Sequence, residues 1–247
     1  MSMVALVTGA SRNIGRAIAL ALARDGWAIA CFGRDRAGLD ETARLVEQTG
    51  SSASVHVGDA AVDVAVEAFV ADAAQRHGGI DALVNNAGIM HEAPVADVTP
   101  QDFRHVLDVN LVAGYTAARA AHPHLRARGG GVVVNVGSMF GAMGVRNAIS
   151  YCASKAGVEG LTRALAAEFA RDNVRVVGIA PGYVKSDISR DALADPVIGK
   201  RIVGRIPLRR VGEPEEIGTM AAFLASPKAA FITGEMFVVD GGQRMAV

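Results

Sequence analysis

Val4-Ala5-Leu6-Val7-Thr8-Gly9-Ala10-Ser11-Arg12-Asn13-Ile14-Gly15-Arg16-Ala17-Ile18 is the stretch that decides the fold. Val4–Val7 reads as a buried strand, and apolar residues then recur at helical spacing from Ile14 to Arg24. Gly9 suits the tight turn between them, and Gly15 lets the helix pack closely on the sheet. The first-turn amides of such a helix can hold a phosphate. Gly9, Ser11, Arg12, Asn13, Ile14 and Gly15 are therefore candidate cofactor contacts. A glycine-rich turn alone also fits an ordinary strand-to-helix connection.

The same alternation continues outward. Ala28–Phe32, Ala53–Val57, Ala82–Val84, Val132–Val136, Val174–Ile179 and Met236–Val239 read as further strands. Leu39–Gln48, Val62–His77, Ser150–Arg171 and Pro214–Leu224 read as helices between them. Thr99-Pro100-Gln101-Asp102 has the form of a capped helix start, and that helix should run to Arg126. Strict alternation predicts an α/β fold: a doubly wound parallel sheet of about seven strands with helices on both faces. No linker or repeat divides the chain, so 1–247 reads as one Rossmann-type domain. Tyr183–Arg210 is the least regular stretch, and its place after a strand end suggests a substrate lid.

Composition narrows the function. The 247 residues carry a formal net charge of zero, and half are hydrophobic. No basic cluster points to nucleic acid. The apolar stretch from Ala17 to Phe32 is interrupted by Arg24, Asp25 and Gly26, which argues against a bilayer span. No signal peptide is visible ahead of Val4. The two cysteines, Cys31 and Cys152, offer neither a disulfide framework nor metal spacing, so no metal site and a cytoplasmic location are the expectations.

Ser138, Tyr151 and Lys155 carry the chemistry. Tyr151 and Lys155 are four apart and share a helix face. An ammonium beside a phenol favours the phenolate, which predicts a lowered tyrosine pKa and a general acid. In isolation such a pair is usually a surface feature.

Taken in order, Thr8-Gly9-x5-Gly15, Asn85-Asn86-Ala87-Gly88, Asn110 within Asp108-Val109-Asn110-Leu111, Ser138, Tyr151-x3-Lys155 and Pro181-Gly182 resemble the short-chain dehydrogenase/reductase family. The resemblance runs from Val4 to Gly242. It departs at Asn13, where the family usually has glycine. Asparagine is the side chain best suited to left-handed backbone angles.

The resemblance implies that Tyr151 donates the proton, Ser138 holds the carbonyl oxygen, and Lys155 binds the nicotinamide ribose. It implies that Asn110 anchors a water leading to Lys155. Asp59 and Ala60 would meet the adenine, and Asn86, Ala87 and Gly88 the adenosine wall. Pro181, Gly182, Val184 and Ser186 would lie along the nicotinamide, with Ile179 packed against its face. If Gly33 holds the position of the ribose-binding acid, Arg34 follows it and with Arg12 favours NADP(H) over NAD(H). Asp35 is the rival, as a ribose acid. A homotetramer is implied, with Ala153, Ala156, Gly157 and Gly160 permitting close helix approach between subunits.

Pro207-Leu208-Arg209-Arg210-Val211-Gly212-Glu213-Pro214 resembles the 3-oxoacyl-(acyl-carrier-protein) reductase branch. The first reading is thus an NADPH-dependent reductase of an acyl-thioester or other small-molecule carbonyl substrate. Arg126, Arg128 and Arg171 would contribute a basic rim for a carrier protein. The alternatives are a sugar, polyol or other secondary-alcohol dehydrogenase, and a non-catalytic dinucleotide-binding regulator.

Overall fold

A computed structural model describes residues 2–245. Seven parallel strands form one sheet in the order β3-β2-β1-β4-β5-β6-β7. They are β1 (Val4–Thr8), β2 (Ala28–Gly33), β3 (Ala53–Val57), β4 (Ala82–Asn85), β5 (Gly131–Val136), β6 (Val174–Pro181) and β7 (Met236–Val239). The strands are near-continuous apolar runs because both faces of the sheet are covered. Helices α1 (Asn13–Arg24), α2 (Arg36–Glu47) and α9 (Pro214–Ala225) cover one face, where Ile18, Leu22, Leu39 and Ile217 meet Val7, Ile29 and Val134. Helices α3 (Asp63–His77), α5 (Ala113–Ala127) and α6 (Ile149–Phe169) cover the other, where Phe69, Leu125 and Leu165 meet Leu6, Phe32 and Val176. The strand order reverses between β1 and β4, and crevices at such points bind ligands.

Two elements differ from the sequence reading. The helix opened by Thr99 begins with α4 (Pro100–Leu107), held by a reciprocal Thr99–Asp102 capping box. It then passes through a π-helical turn at Asp108–Val112 before α5. The stretch 183–210 is not irregular: it contains α7 (Asp187–Ala194) and α8 (Pro196–Arg205). Both helices are largely exposed, so neither carries a strong apolar stripe. Capping starts them instead, by Ser186 with Ser189 and by Asp195 accepting from Val197 N and Ile198 N. A two-residue neck closes the segment, with Val184 bridged to Gly212.

A polar chain crosses from β3 to α3. His56 Nδ1 lies 2.9 Å from Asp72 Oδ2, and Ser54 Oγ lies 2.9 Å from both His56 Nε2 and His77 Nε2. A carboxylate only accepts, so His56 carries its proton on Nδ1 and accepts from Ser54; His77 Nε2 must then donate to Ser54. Burial, the largest influence on each, pushes both imidazoles below their ordinary pKa. Asp72 opposes the fall at both rings, while Arg76 reinforces it. A lowered folded pKa means that the unfolded chain binds more protons as pH falls through the ordinary histidine range. The stabilisation is complete above that range and lost below it. The melting temperature should therefore fall between pH 7 and pH 5, near the ordinary histidine value of about 6.5, and His56→Asn should flatten that slope. An unchanged slope in the variant would remove His56 from the account.

No helix among the described residues is long and apolar enough to cross a membrane.

Candidate active site

The cradle is built around backbone that tolerates no added carbon. Gly9 has φ +66°, and a Cβ on it would lie 2.9 Å from Ala87 Cα. A Cβ on Gly15 would lie 2.1 Å from Gly9 O and 2.6 Å from Asn86 Nδ2. Asn13 takes φ +49°, the left-handed backbone expected of asparagine there. Ser11, Arg12 and Ile14 complete the turn into α1. Side chains that sequence reading missed hold it in place. Thr42 Oγ1 donates to Ala10 O at 2.8 Å, and Arg16 reaches Ser11 O and Gly38 O. Thr8 Oγ1 accepts from Asn86 N and Ala87 N, each at 3.0 Å. Asn86 Nδ2 in turn donates to Thr8 O and Gly9 O. The 86–88 turn is thereby locked to the end of β1.

At the β2 end, the strand closes on Gly33 and Asp35 becomes the N-cap of α2, accepting from Gly38 N at 3.1 Å. Arg34 faces Asp59 at 3.8 Å. Asp59 also accepts from Ala61 N at 2.9 Å, with Ala60 buried in the turn between them.

The second cluster forms where β4, β5 and α6 converge. Asn110 sits in the π-helical turn, whose extra residue swings its amide toward the loop after β4. Its Oδ1 accepts from Ile89 N at 2.8 Å, and its Nδ2 donates to Ile89 O at 2.9 Å and Ser154 Oγ at 3.0 Å. Lys155 is 3% exposed and donates one hydrogen bond, to Val136 O at 2.9 Å. A Cβ on Gly88 would lie 3.4 Å from Asn110 Oδ1 and 3.5 Å from Lys155 Nζ. The Asn-Asn-Ala-Gly turn, Asn110 and Lys155 thus meet at one point. Gly141 lets the 139–142 turn lie on α6, since its Cβ would fall 2.9 Å from Lys155 O.

Tyr151 is buried, with its ring edge-on to Phe140 at 6.1 Å. Phe140 is in turn edge-on to Tyr183 at 6.0 Å, so an aromatic ladder leads outward from the phenol. Lys155 Nζ lies 5.6 Å from the Tyr151 ring centroid. The predicted lowering of the phenol is overturned. Burial raises the Tyr151 pKa, and the Ser138 hydroxyl only partly opposes it. The same burial brings the Lys155 ammonium down to about 8. Desolvation disfavours the charged form of each group.

Further expectations change. Ile179 is fully buried in the core, not a wall of the crevice. Gly157 packs within the chain against Leu111, whose Cδ2 would lie 2.7 Å from an added Cβ. Arg128 is tied to Asp81 at 2.8 Å instead of standing ready on a rim. Pro181 closes β6, and Gly182 N donates to Val239 O at 2.9 Å. Val184 forms the neck of the 183–210 segment, and the Ser186 hydroxyl lies 3.2 Å from Ser189 Oγ at the start of α7. His122 stacks on Phe169 and pairs with Asp172.

A parallel sheet with a phosphate-sized cradle at its switch point and a Ser-Tyr-Lys cluster beside it defines a dinucleotide-dependent oxidoreductase. A family model described as enoyl-(acyl carrier protein) reductase matches residues 9–244. The chain belongs to the short-chain dehydrogenase/reductase family. It is 40% identical to an acetoacetyl-CoA reductase of Rhizobium meliloti over 246 residues, covering 100% of both chains. It is 37% identical to a 3-oxoacyl-(acyl-carrier-protein) reductase of Staphylococcus aureus, covering 99% of each. A structure from Agrobacterium tumefaciens, assigned provisionally as a 2-deoxy-D-gluconate 3-dehydrogenase and holding NADP, superposes with a TM-score of 0.91. It is 38% identical, covering 98% of this chain and 96% of that one. The protein is thus an oxidoreductase acting on hydroxyl and carbonyl groups with a nicotinamide cofactor. The cradle fits that cofactor, because α1 starts without a side-chain cap and its first-turn amides remain available to a phosphate.

Proposed function

We propose that this enzyme reduces short 3-oxoacyl thioesters with NADPH. Full-length similarity to an acetoacetyl-CoA reductase carries the substrate class. The apolar ladder of Phe140 and Tyr183 beside Tyr151 suits a short acyl chain. Bound nicotinamide supplies the hydride. Tyr151 donates the proton to the carbonyl oxygen, which its raised pKa keeps available at neutral pH. Ser138 donates to the same oxygen and holds it against the phenol. Lys155, with hydrogen-bonding capacity beyond its bond to Val136 O, binds the ribose hydroxyls. Asn110 fixes the loop wall at Ile89 and orients the water that resupplies the proton.

The preference for NADPH rests on the end of β2. Gly33 offers no carboxylate to the ribose, Asp35 is spent capping α2, and Arg34 and Arg12 supply cations. Asp59 and Ala60 border the adenine, while Pro181, Gly182, Val184 and Ser186 line the nicotinamide. A second reading, oxidation of a sugar acid or polyol, is favoured by the charges of Glu92, Arg201 and Arg205 around Tyr183. Four copies assemble through the faces that leave Val112, Tyr115 and Ile149 exposed.

The decisive experiment follows oxidation of NADPH and NADH with acetoacetyl-CoA, on protein whose mass is read by light scattering. Turnover favouring NADPH on a tetramer is the expected result. Absence of thioester turnover, with activity on gluconate-type substrates, would replace the first reading by the second.

A further inference from the structure

Each cation at the adenosine end of the cradle already has an acidic partner. Arg34 faces Asp59 at 3.8 Å, and Arg12 Nη1 faces Asp35 at 3.4 Å. Arg12 Nε also pairs with Asp187, the first residue of lid helix α7, whose other carboxylate oxygen pairs with Arg190. These three acids are not equivalent. Asp35 is fixed as the cap of α2, and Asp59 is fixed by Ala61 N. Asp187 stands on α7, a helix of eight residues whose one buried side chain is Ser189, so it is the partner that can leave. Arg12 is more than half exposed, and its guanidinium lies beside the phosphate-sized turn.

We infer that Asp187 latches the lid to the cradle through Arg12, and that a dinucleotide phosphate releases the latch by taking Arg12. This rests on the proposed reading of the cradle as a dinucleotide site. A phosphate offers more charge and more acceptor oxygens to a guanidinium than a carboxylate does. Asp187 therefore acts as a positioning residue that couples occupancy of the adenosine end to lid mobility. It also lowers phosphate affinity, because the incoming ligand must first break an existing pair.

Hydrogen exchange of α7 in the full chain, without nucleotide, tests the latch. Asp187→Asn should raise exchange there by about two- to fivefold, the range a partly exposed ion pair supports. Arg12→Gln should raise it as well, and the double variant should add less than the sum of the two, because the Arg12–Asp187 pair is shared by both changes while Asp187 also pairs with Arg190 and Arg12 with Asp35. Asp187→Glu should restore protection. That pattern separates the latch from a mere preference for an acid in the first helical turn, which Arg12→Gln would not disturb. Calorimetric titration with 2′,5′-ADP and 5′-ADP tests release. Asp187→Asn should bind 2′,5′-ADP about two- to fivefold more tightly than the parent, again within the exposed-pair range. Exchange of α7 in the parent should rise on adding 2′,5′-ADP. Unchanged exchange in Asp187→Asn overturns the latch. Failure of both nucleotides to bind either protein overturns the cradle reading and the release step with it, while the nucleotide-free exchange still judges the latch alone.

Discussion

Tyr151→Phe lowers kcat by about 10²- to 10⁴-fold, the range that a positioned general acid supplies. Nucleotide affinity stays near that of the parent. The substitution is clean because the ring is buried and packs edge-on against Phe140, so phenylalanine preserves the packing and removes only the hydroxyl. Steady-state kinetics in the reductive direction, beside a nucleotide titration, make the measurement. Retained kcat would move the proton donor elsewhere, and lost nucleotide binding would mean that the hydroxyl positions the cofactor. The pH profile carries a sign. A phenol raised by burial keeps its proton across the neutral range, whereas Lys155 loses its charge as pH passes about 8. Reductive kcat in the parent should therefore be level near neutrality and fall above that value.

Gly15→Ala has the largest expected effect on the fold of the cradle. The new Cβ would sit 2.1 Å from Gly9 O and 2.6 Å from Asn86 Nδ2. Gly9 O belongs to a turn held at positive φ and hydrogen-bonded to Asn86, so it cannot yield without opening the β1–α1 connection. Overpacking of this kind costs about 1–3 kcal/mol or more. In a domain of this size that lowers the melting temperature by about 2–4 °C per kcal/mol. Nucleotide affinity should fall as well, because the displaced turn leads into the first turn of α1, whose amides would hold the phosphate. Gly204→Ala is the control: it lies within α8 with nothing within 4 Å of its Cβ. Alanine there should be neutral, or stabilising by up to about 1 kcal/mol. A Gly15→Ala protein that melts like the parent would show that the helix does not need its close approach.

The sheet was legible in the sequence because its strands are buried on both faces and read as short apolar runs between turn residues. The cradle and the Ser138, Tyr151 and Lys155 cluster were legible because their spacing is local or ordered along the chain. What remained hidden depends on partners distant in sequence. Nothing near Asp35 signals that its carboxylate caps α2, or that Arg12 is claimed by Asp187 across the crevice. Gly157 looks like an assembly residue until Leu111 is placed against it. The π-helical turn at Asn110 leaves no mark on apolar periodicity over so few residues, and α7 and α8 lack the buried stripe that reveals a helix. The Tyr151 pKa was misjudged because one neighbour can be read from spacing, whereas total burial cannot.

The neck at Val184 and Gly212 brings the two ends of the α7–α8 segment together. Lys185 N donates to Gly212 O at 3.0 Å, and Gly212 N donates to Tyr183 O at 2.9 Å. The ends of the excursion are thus already joined, and the chain between them is a loop whose closure cost changes only slowly with length. Changes to the exposed turns between those two bonds alter the segment while leaving in place its ties to the rest of the fold: buried Ile206, Leu208 N on Gly241 O, and Arg210 on Glu216 of α9. Grafting a relative's α7 and α8 onto this sheet with those ties kept should change which of the proposed substrates, thioester or sugar acid, the enzyme turns over.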